Sequence, residues 1–303
     1  MNYDFLVDIA KSYDCKILLN EPMCKHTSFK IGGSADVFLF VNSLRALKKI
    51  LLYIFDNQIP YYVLGNGCNL LVPDEGFRGV ILKLSGDFLK ISLVKEDIIS
   101  CKSGVKLSEL CRFAAKHSLS GLEFAWGIPA TVGGAVFMNA GAYDGEIKNV
   151  LISCVHVDDN LKEVTLNKDE LVNFGYRTSV YSTNKNIITT AVFKLKISNR
   201  NEIQRKMDTL FNRRKDKQPM DYPSAGSIFK RPTGYFVGKL IDDCGLRGTS
   251  IGGAKISDKH SGFIVNTGGA TCEDVVNLIN LAKNRVLKNS GVALDTEIKI
   301  LKN

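Results

Sequence analysis

Apolar residues recur every three or four positions in several segments, the spacing of helices with one buried face. Phe5, Ile9 and Tyr13 predict a short helix within the first twenty residues. Ser43 is the predicted N-cap of a second helix, which Pro60 closes. The same spacing, a glycine cap and a capping box predict four more helices: near residues 107–114, from residue 203 into a basic cluster, over 235–244 up to Gly245, and after Thr271 with Asp274.

Runs of β-branched and aromatic residues between these helices predict strands. The runs cover residues 36–41, 61–64, 79–84, 97–101 and 187–197, and a final strand places Val292, Leu294, Ile298 and Ile300 on one face. A glycine-rich stretch over residues 121–145 separates the third helix from later strands. The strand–helix–strand order near the N-terminus favours an α/β unit, and a composition change at residues 198–201 is the predicted domain boundary.

The composition is that of a globular protein, with 45% hydrophobic and 23% charged residues in 303. No run of about 18 apolar residues occurs, which excludes a membrane span, and the first residues lack the apolar core of a signal peptide. Eight scattered cysteines without a CxxC pair predict reduced thiols in a cytoplasmic protein. Four scattered histidines give no metal-ligand spacing, so no metal is predicted.

The formal net charge of +9 indicates an affinity for anions. The one dense cluster comprises Arg213, Arg214, Lys215 and Lys217 and is interpreted as the solvated end of a helix. Because aromatic residues do not alternate with the cations, nucleic-acid binding is less well supported than a small substrate that carries phosphate.

Two glycine-rich loops are the strongest candidates for ligand binding. The first spans residues 63–71 and the second spans residues 127–142. Neither has the GxGxxG spacing of a dinucleotide fold, and residues 234–239 do not have the spacing of a phosphate loop. Glycine lets the backbone approach a ligand closely, and successive N–H groups bind anions. Two such loops therefore favour a shared diphosphate ligand over two unrelated turns.

Eight motifs, in order along nearly the whole chain, resemble those of a known flavoprotein family. They are TSFKIGG at 27–33, GNGCNLL at 65–71, GIPATVGGAVFMNAGAY at 127–143, FGYR at 174–177, KQP at 217–219, PSAGSIFK at 223–230, SDKHS leading to the asparagine at 257–266, and LDTE at 294–297. The first three resemble the FAD-binding domain of the vanillyl-alcohol oxidase / p-cresol methylhydroxylase (PCMH) superfamily. The full set resembles the family of UDP-N-acetylenolpyruvoylglucosamine reductases, also called UDP-N-acetylmuramate dehydrogenases, in its compact subtype.

The resemblance implies an α+β fold with a PCMH-type FAD-binding domain of two α/β subdomains and a C-terminal α+β substrate-binding domain. The expected limits are 1–25 for a lead-in helix, 26–198 for the FAD domain, with subdomains 26–85 and 86–198, and 199–303 for the substrate domain. It implies non-covalent FAD, with contacts expected from both glycine loops: Gly65, Asn66, Gly67, Cys68, Asn69, Gly127, Ile128, Pro129, Thr131, Gly133, Gly134, Asn139 and Gly141.

The resemblance also implies a reaction of peptidoglycan precursor synthesis, and hence a role in cell-wall biogenesis, cell shape and cell division. NADPH reduces bound FAD and leaves, and flavin N5 then delivers hydride to the enolpyruvyl UDP-sugar. Ser227 matches the proton donor, Arg177 the residue that braces the substrate carboxylate, and Glu297 a second stabilising group, which helps an enolate most when protonated. Without the resemblance, the three would be interpreted as a loop serine, a surface arginine and a solvent-facing strand acid.

Substrate contacts are expected from one aromatic and three basic residues: Tyr176, Lys217, Lys230 and Arg231. His260 is equally well explained as a hydrogen-bonded structural histidine, and Trp126 is explained by packing beside the second glycine loop. The expected partners are the UDP-sugar and NADPH, with no nucleic acid and no membrane span.

The sequence departs from the family at three places. Cys68 replaces a serine, which questions one contact to the FAD diphosphate, Ala130 replaces a glycine, and Asp295-Thr296 replaces Glu-Pro. Two alternatives stay open at this point. One is an oxidase of the same superfamily that carries covalent flavin, and the other is a basic binding protein that uses the cluster at residues 213–217.

Overall fold

The computed structural model describes residues 3–171 and 173–302. Within them the chain forms seven α-helices: α1 (Asp4–Ser12), α2 (Leu44–Asp56), α3 (Leu107–Lys116), α4 (Val132–Phe137), α5 (Arg200–Lys217), α6 (Val237–Asp243) and α7 (Cys272–Ser290). The strands are β1 (Lys16–Pro22), β2 (Ser34–Val41), β3 (Tyr61–Val63), β4 (Leu70–Leu71), β5 (Phe77–Leu84), β6 (Ile91–Lys95), β7 (Ile98–Lys102), β8 (Leu119–Ser120), β9 (Gly141–Ala142), β10 (Gly145–Glu146), β11 (Leu151–Val157), β12 (Glu163–Asn167), β13 (Ile187–Lys194), β14 (Lys196–Ile197), β15 (Ser224–Ser227), β16 (Ser250–Ile251), β17 (Ala254–Ile256), β18 (Phe263–Asn266) and β19 (Lys299–Ile300). This mixture confirms the predicted α+β class.

The chain divides into two compact units, each built from separate stretches of sequence. Unit 1 comprises residues 1–19, 37–65 and 79–213, and unit 2 comprises residues 20–36, 66–78 and 214–303. The domain limits expected from the resemblance stay a prediction. No helix among the described residues is long and apolar enough to cross a bilayer.

Two sheets carry most of unit 1. One has the order β1-β2-β5-β3, and the other is a five-stranded sheet with the order β12-β11-β13-β7-β6. Helix α2 begins where the sequence predicts, because the Ser43 side chain accepts a hydrogen bond from the Ala46 N–H. Its apolar face shares one core with alternate residues of β2 and β5: Leu47, Ile50, Leu51 and Ile54 with Val37, Leu39, Val41, Val80, Leu82 and Leu84.

Unit 2 is organised by the sheet β15-β18-β17-β16 and by α7, which packs on β16 and β17. Thr271 and Asp274 form the predicted capping box of α7. The carboxylate of Asp74 also accepts hydrogen bonds from the N–H groups of Cys272 and Glu273, at 2.8 and 3.2 Å. The stretch at residues 66–78, which carries the end of the first glycine loop, is therefore tied to the start of α7.

Several predicted elements are wrong or incomplete. Strand β1 was missed, since its burial does not alternate. Helix α4 lies inside the glycine-rich stretch, which had been predicted only as a loop region. Helix α6 starts at Val237, two residues later than expected. The final strand is only Lys299–Ile300, with Ile300 exposed and not on a buried face. All eight cysteines are free thiols, as predicted.

Candidate active site

Ser227 lies at the end of β15, where a bulge interrupts the pairing with β18. Ser224 pairs with Val265 and Ser227 with Phe263, and the register shifts between them. Gly226 occupies the bulge with φ +78°, a left-handed conformation that favours glycine. The bulge reorients the chain just before Ser227, whose Oγ donates a hydrogen bond to the Phe229 carbonyl at 3.1 Å.

Glu297 lies on a segment that pairs with the residues after Ser227. Its N–H donates to the Ile228 carbonyl at 2.8 Å, and the Lys230 N–H donates to the Asp295 carbonyl at 2.8 Å. Phe229 and Thr296 form an antiparallel bridge between these two hydrogen bonds. The fold of unit 2 thus brings together two predicted catalytic residues that are 70 positions apart in the chain. Both are half-buried.

The end of the first glycine loop contacts the Glu297 segment. Asn69 donates through Nδ2 to the Glu297 carbonyl at 3.1 Å, and β4, which follows it, pairs in parallel with β19. Gly67 has φ +60°, and a Cβ there would lie 2.2 Å from the His26 carbonyl oxygen. Only glycine fits this position. Burial raises the pKa of the Cys68 thiol to about 11, so Cys68 is a neutral thiol at physiological pH.

His260 lies close to Ser227 in unit 2. A Cβ built on Gly262 would lie 3.0 Å from Cε1 of His260 and 3.8 Å from Oγ of Ser227. Nδ1 of His260 accepts a hydrogen bond from the Gly262 N–H. Burial lowers the pKa of His260, and this effect outweighs a backbone hydrogen bond and the nearby carboxylate of Asp242, which raise the pKa. Neutral His260 therefore carries its proton on Nε2.

The second glycine loop lies in unit 1, where it meets the start of the first. Thr131 is the N-cap of α4, and its Oγ1 accepts from the Gly134 N–H. A Cβ on Gly65 would lie 2.7 Å from this same Oγ1. Gly133 lies as close to Ser103, where a Cβ would come within 2.9 Å of the serine Cβ. A side chain at residue 65 would therefore push the first loop away from Thr131, and one at residue 133 would push the second loop away from Ser103.

Arg177 also lies in unit 1, at the corner of a tight turn formed by residues 175–178, the Arg177 turn. Gly175 and Thr178 form an antiparallel bridge, and Arg177 between them has φ +56°. A non-glycine residue in this region costs conformational free energy and clusters at functional sites. Its guanidinium donates to the Gly141 carbonyl at 3.0 Å and lies 5.0 Å from the centre of the Tyr176 ring.

Asn139 has a fully buried side chain, although the resemblance implies a cofactor contact. Its Nδ2 donates to the Glu146 carboxylate and to the Gly175 carbonyl, and its Oδ1 accepts from the Lys148 N–H. The amide group thus has partners on two separate segments of unit 1, residues 146–148 and the turn at Gly175.

Arg231 is the best-fixed of the expected substrate cations. Its guanidinium carbon lies 3.9 Å from the centre of the Phe236 ring, and its Nε donates to the Tyr235 carbonyl. Lys230 is half-buried, whereas Tyr176 and Lys217 are exposed.

The basic cluster at the end of α5 is not uniformly solvated, which corrects the sequence interpretation. Arg214 is 9% exposed and donates to Oε1 of Gln218 at 3.3 Å. Lys259 reaches the Lys215 carbonyl through its ammonium group. Residues 214–217 belong to unit 2, and a charge count cannot reveal these contacts.

Sequence reasoning missed Asp74 as a residue that organises the site. The Pro73-Asp74-Glu75-Gly76 segment has the composition of a turn. No sequence signal points to its partner, since the hydrogen bonds to α7 span 198 and 199 residues.

Comparisons with known proteins agree with this description. Residues 35–166 match a family described as FAD binding domain, and residues 218–301 match UDP-N-acetylenolpyruvoylglucosamine reductase, C-terminal domain. A UDP-N-acetylenolpyruvoylglucosamine reductase of Caldanaerobacter subterraneus is 48% identical over 300 residues, 98% of each chain. One of Clostridium botulinum is 48% identical over 94% of this chain and 92% of its own length.

A solved structure extends the likeness to three dimensions. The crystal structure of UDP-N-acetylenolpyruvylglucosamine reductase from Thermus caldophilus has a TM-score of 0.81 and 36% identity, over 95% of this chain and 99% of its own. These matches confirm the predicted PCMH-type fold, and the protein is an FAD-containing oxidoreductase. The chain belongs to the family of UDP-N-acetylenolpyruvoylglucosamine reductases, which carry out the flavin-dependent reduction of the enolpyruvyl UDP-sugar in peptidoglycan synthesis.

Proposed function

We propose that the chain reduces the enolpyruvyl group of UDP-N-acetylenolpyruvoylglucosamine to UDP-N-acetylmuramate, with NADPH as the reductant. In this proposal Ser227 donates the proton, and Arg177 and Glu297 stabilise the negative charge that builds on the carboxylate. We place the reaction in the cytoplasm, where thiols stay reduced, and the free cysteines support this location.

The glycine loops fit FAD on two observations. The backbone at Gly65 approaches Thr131 Oγ1 too closely for any side chain, and Gly67 adopts a conformation that favours glycine. Loops of this kind present N–H groups to a diphosphate. Gly65, Gly67, Asn69, Thr131 and Gly134 would hold FAD, together with the neighbouring residues expected from the resemblance other than Asn139, whose amide is engaged within unit 1. The bound flavin supplies the hydride.

One observation supports the catalytic assignment most strongly: the hydrogen bond from the Glu297 N–H to the Ile228 carbonyl. It fixes the backbone of Glu297 against the residue that follows Ser227. A proton donor and a charge-stabilising carboxyl group must act on one small substrate, so the two must be held in a fixed relation. The Ser227 hydroxyl donates a hydrogen bond to the Phe229 carbonyl. In this proposal the same proton passes from Oγ to the α-carbon of the substrate.

Arg177 has the chemistry needed for the substrate carboxylate. Its guanidinium presents parallel N–H donors that match a carboxylate in a bidentate pair. The left-handed backbone at Arg177 supports this role, because strain of this kind is kept where geometry matters more than stability.

The basic residues and one tyrosine serve the UDP part of the substrate. Lys217, Lys230 and Arg231 provide positive charge for a diphosphate. Tyr176, exposed beside Arg177, provides an aromatic face.

Replacement of Ser227 by alanine tests the assignment in two half-reactions. Reduction of the flavin by NADPH should proceed as in the wild type, because no proton is donated to a carbon in that step. Reoxidation by the enolpyruvyl UDP-sugar should slow by about 100- to 10,000-fold, the usual loss on removal of a general acid. Both rates follow from the flavin absorbance under anaerobic conditions.

Ser250→Ala is the matched control, since Ser250 is an exposed serine in β16 of the same sheet. It should change neither half-reaction. An equal loss of both half-reactions in Ser227→Ala would refute the role of Ser227. Flavin that stays with acid-precipitated protein would instead favour an oxidase with covalent flavin.

A further inference from the structure

The Arg177 turn, together with Ser179 directly after it, is fastened to one short stretch of unit 1 at three points. The Gly175 carbonyl accepts from Nδ2 of Asn139 at 2.9 Å. The Arg177 guanidinium donates to the Gly141 carbonyl at 3.0 Å, and Oγ of Ser179 donates to the Phe137 carbonyl at 2.7 Å. The position of the guanidinium therefore depends on residues 137–141.

Asn139 is the only one of these anchors on the 137–141 side that acts through a side chain. The side chain is fully buried, and its backbone has φ +41°, a conformation that asparagine tolerates better than most residues. Both amide hydrogens and the amide oxygen are engaged, with Glu146, Gly175 and the Lys148 N–H. An amide with all three of these hydrogen bonds made has little left to offer a cofactor.

The partners of Asn139 are themselves fixed. Glu146 lies on β10, which pairs with β9 so that Glu146 faces Gly141, the acceptor for Arg177. The second carboxylate oxygen of Glu146 forms an ion pair with Lys148 at 3.2 Å. One amide thus joins the hairpin that receives the guanidinium to the turn that carries it.

We propose that Asn139 is a positioning residue for Arg177, and that it acts on the substrate carboxylate through the Arg177 turn and not as a ligand of FAD. The inference rests on the proposed role of Arg177. It replaces the cofactor contact expected for Asn139 from the resemblance.

Asn139→Gly tests this, because glycine accepts φ +41° and the substitution removes the side chain with its amide without straining the backbone. The FAD dissociation constant of the apoprotein, measured by flavin fluorescence, should stay within about twofold of wild type, and flavin reduction by NADPH should be unchanged. Reoxidation by the enolpyruvyl UDP-sugar should slow by about 100-fold, the loss expected for a misplaced catalytic group. Asn149→Ala, an exposed asparagine nearby, is the matched control and should change none of these.

A double-mutant cycle with Arg177→Ala separates positioning from a general loss of structure. If Asn139 acts through Arg177, Asn139→Gly should add no further loss to Arg177→Ala. Additive losses would overturn the inference, as would weaker FAD binding in Asn139→Gly. If Asn139→Gly does not fold, Glu146→Ala breaks one hydrogen bond of the same amide and should slow the same step with FAD affinity kept.

The outcomes distinguish this inference from the proposed function. Normal reoxidation in Arg177→Ala would remove Arg177 from the reaction, and both would fail. Slow reoxidation in Arg177→Ala with a normal rate in Asn139→Gly would overturn only the inference about Asn139.

Discussion

The contact between the two glycine loops makes a quantitative prediction for Gly65→Ala. The new Cβ would lie 2.7 Å from Oγ1 of Thr131, but 3.7 Å from its Cβ and Cγ2. The backbone at Gly65 does not have a positive φ, so alanine meets no conformational strain there. The whole cost of the substitution therefore comes from one oxygen atom.

The magnitudes of the two single substitutions can be set from their causes. Overpacking by one methyl group costs about 1–3 kcal/mol of unfolding free energy. Thr131→Ala removes the N-cap of α4 and costs about 0.5–2 kcal/mol. In the double variant the clash is gone, so its loss should equal that of Thr131→Ala alone. The coupling free energy should then equal the full overpacking cost, about 1–3 kcal/mol.

Urea unfolding of the apoprotein measures the four free energies without interference from FAD. Thr131→Ser is the control background, since serine keeps Oγ1 and should keep the clash. Additive losses in Gly65→Ala/Thr131→Ala would refute the close contact of the loops. Equal coupling in the serine background would show that Oγ1 is not the atom responsible.

Three further predictions concern stability. His156 is buried, and burial lowers its pKa, so that as the pH falls the unfolded chain takes up a proton before the folded one. The unfolding free energy should therefore fall below about pH 6.5, by up to about 1.4 kcal/mol per pH unit. Urea titrations of His156→Gln should lack this part of the pH dependence, and an unchanged pH dependence would contradict the role of His156. Asp74→Ala removes the acceptor of the first N–H groups of α7 and should cost about 0.5–2 kcal/mol in urea unfolding, with partial recovery in Asp74→Asn; a change below about 0.3 kcal/mol would exclude the cap. The buried hydroxyl of Ser103 has no hydrogen-bond partner among the described residues, so Ser103→Ala should raise the melting temperature of the apoprotein, and a lower melting temperature would show that the hydroxyl is bonded.

Local sequence signals located the elements whose ends are capped by nearby residues. Ser43 caps α2 and Thr271 with Asp274 caps α7, each within three residues of its partner. Gly245 has φ +68° after α6, as expected of a left-handed cap. Such signals are readable because donor and acceptor lie close together in the chain.

The rest depends on contacts between distant residues, which no single-chain pattern encodes. Helix α4 forms in a glycine-rich segment because the chain at residues 103–105 accepts its first N–H groups. Ser227 and Glu297 meet through backbone pairing over 70 residues. The sequence motifs identified Ser227 and Glu297 through the resemblance. The hydrogen bonds that hold the Arg177 turn could be identified only from the structure.

The most direct test follows the flavin absorbance of the wild-type protein in an anaerobic stopped-flow instrument. NADPH should bleach the flavin band, and UDP-N-acetylenolpyruvoylglucosamine added afterwards should restore it with one equivalent of UDP-N-acetylmuramate formed. A protein that NADPH bleaches but that the enolpyruvyl sugar does not reoxidise would contradict the proposed reaction.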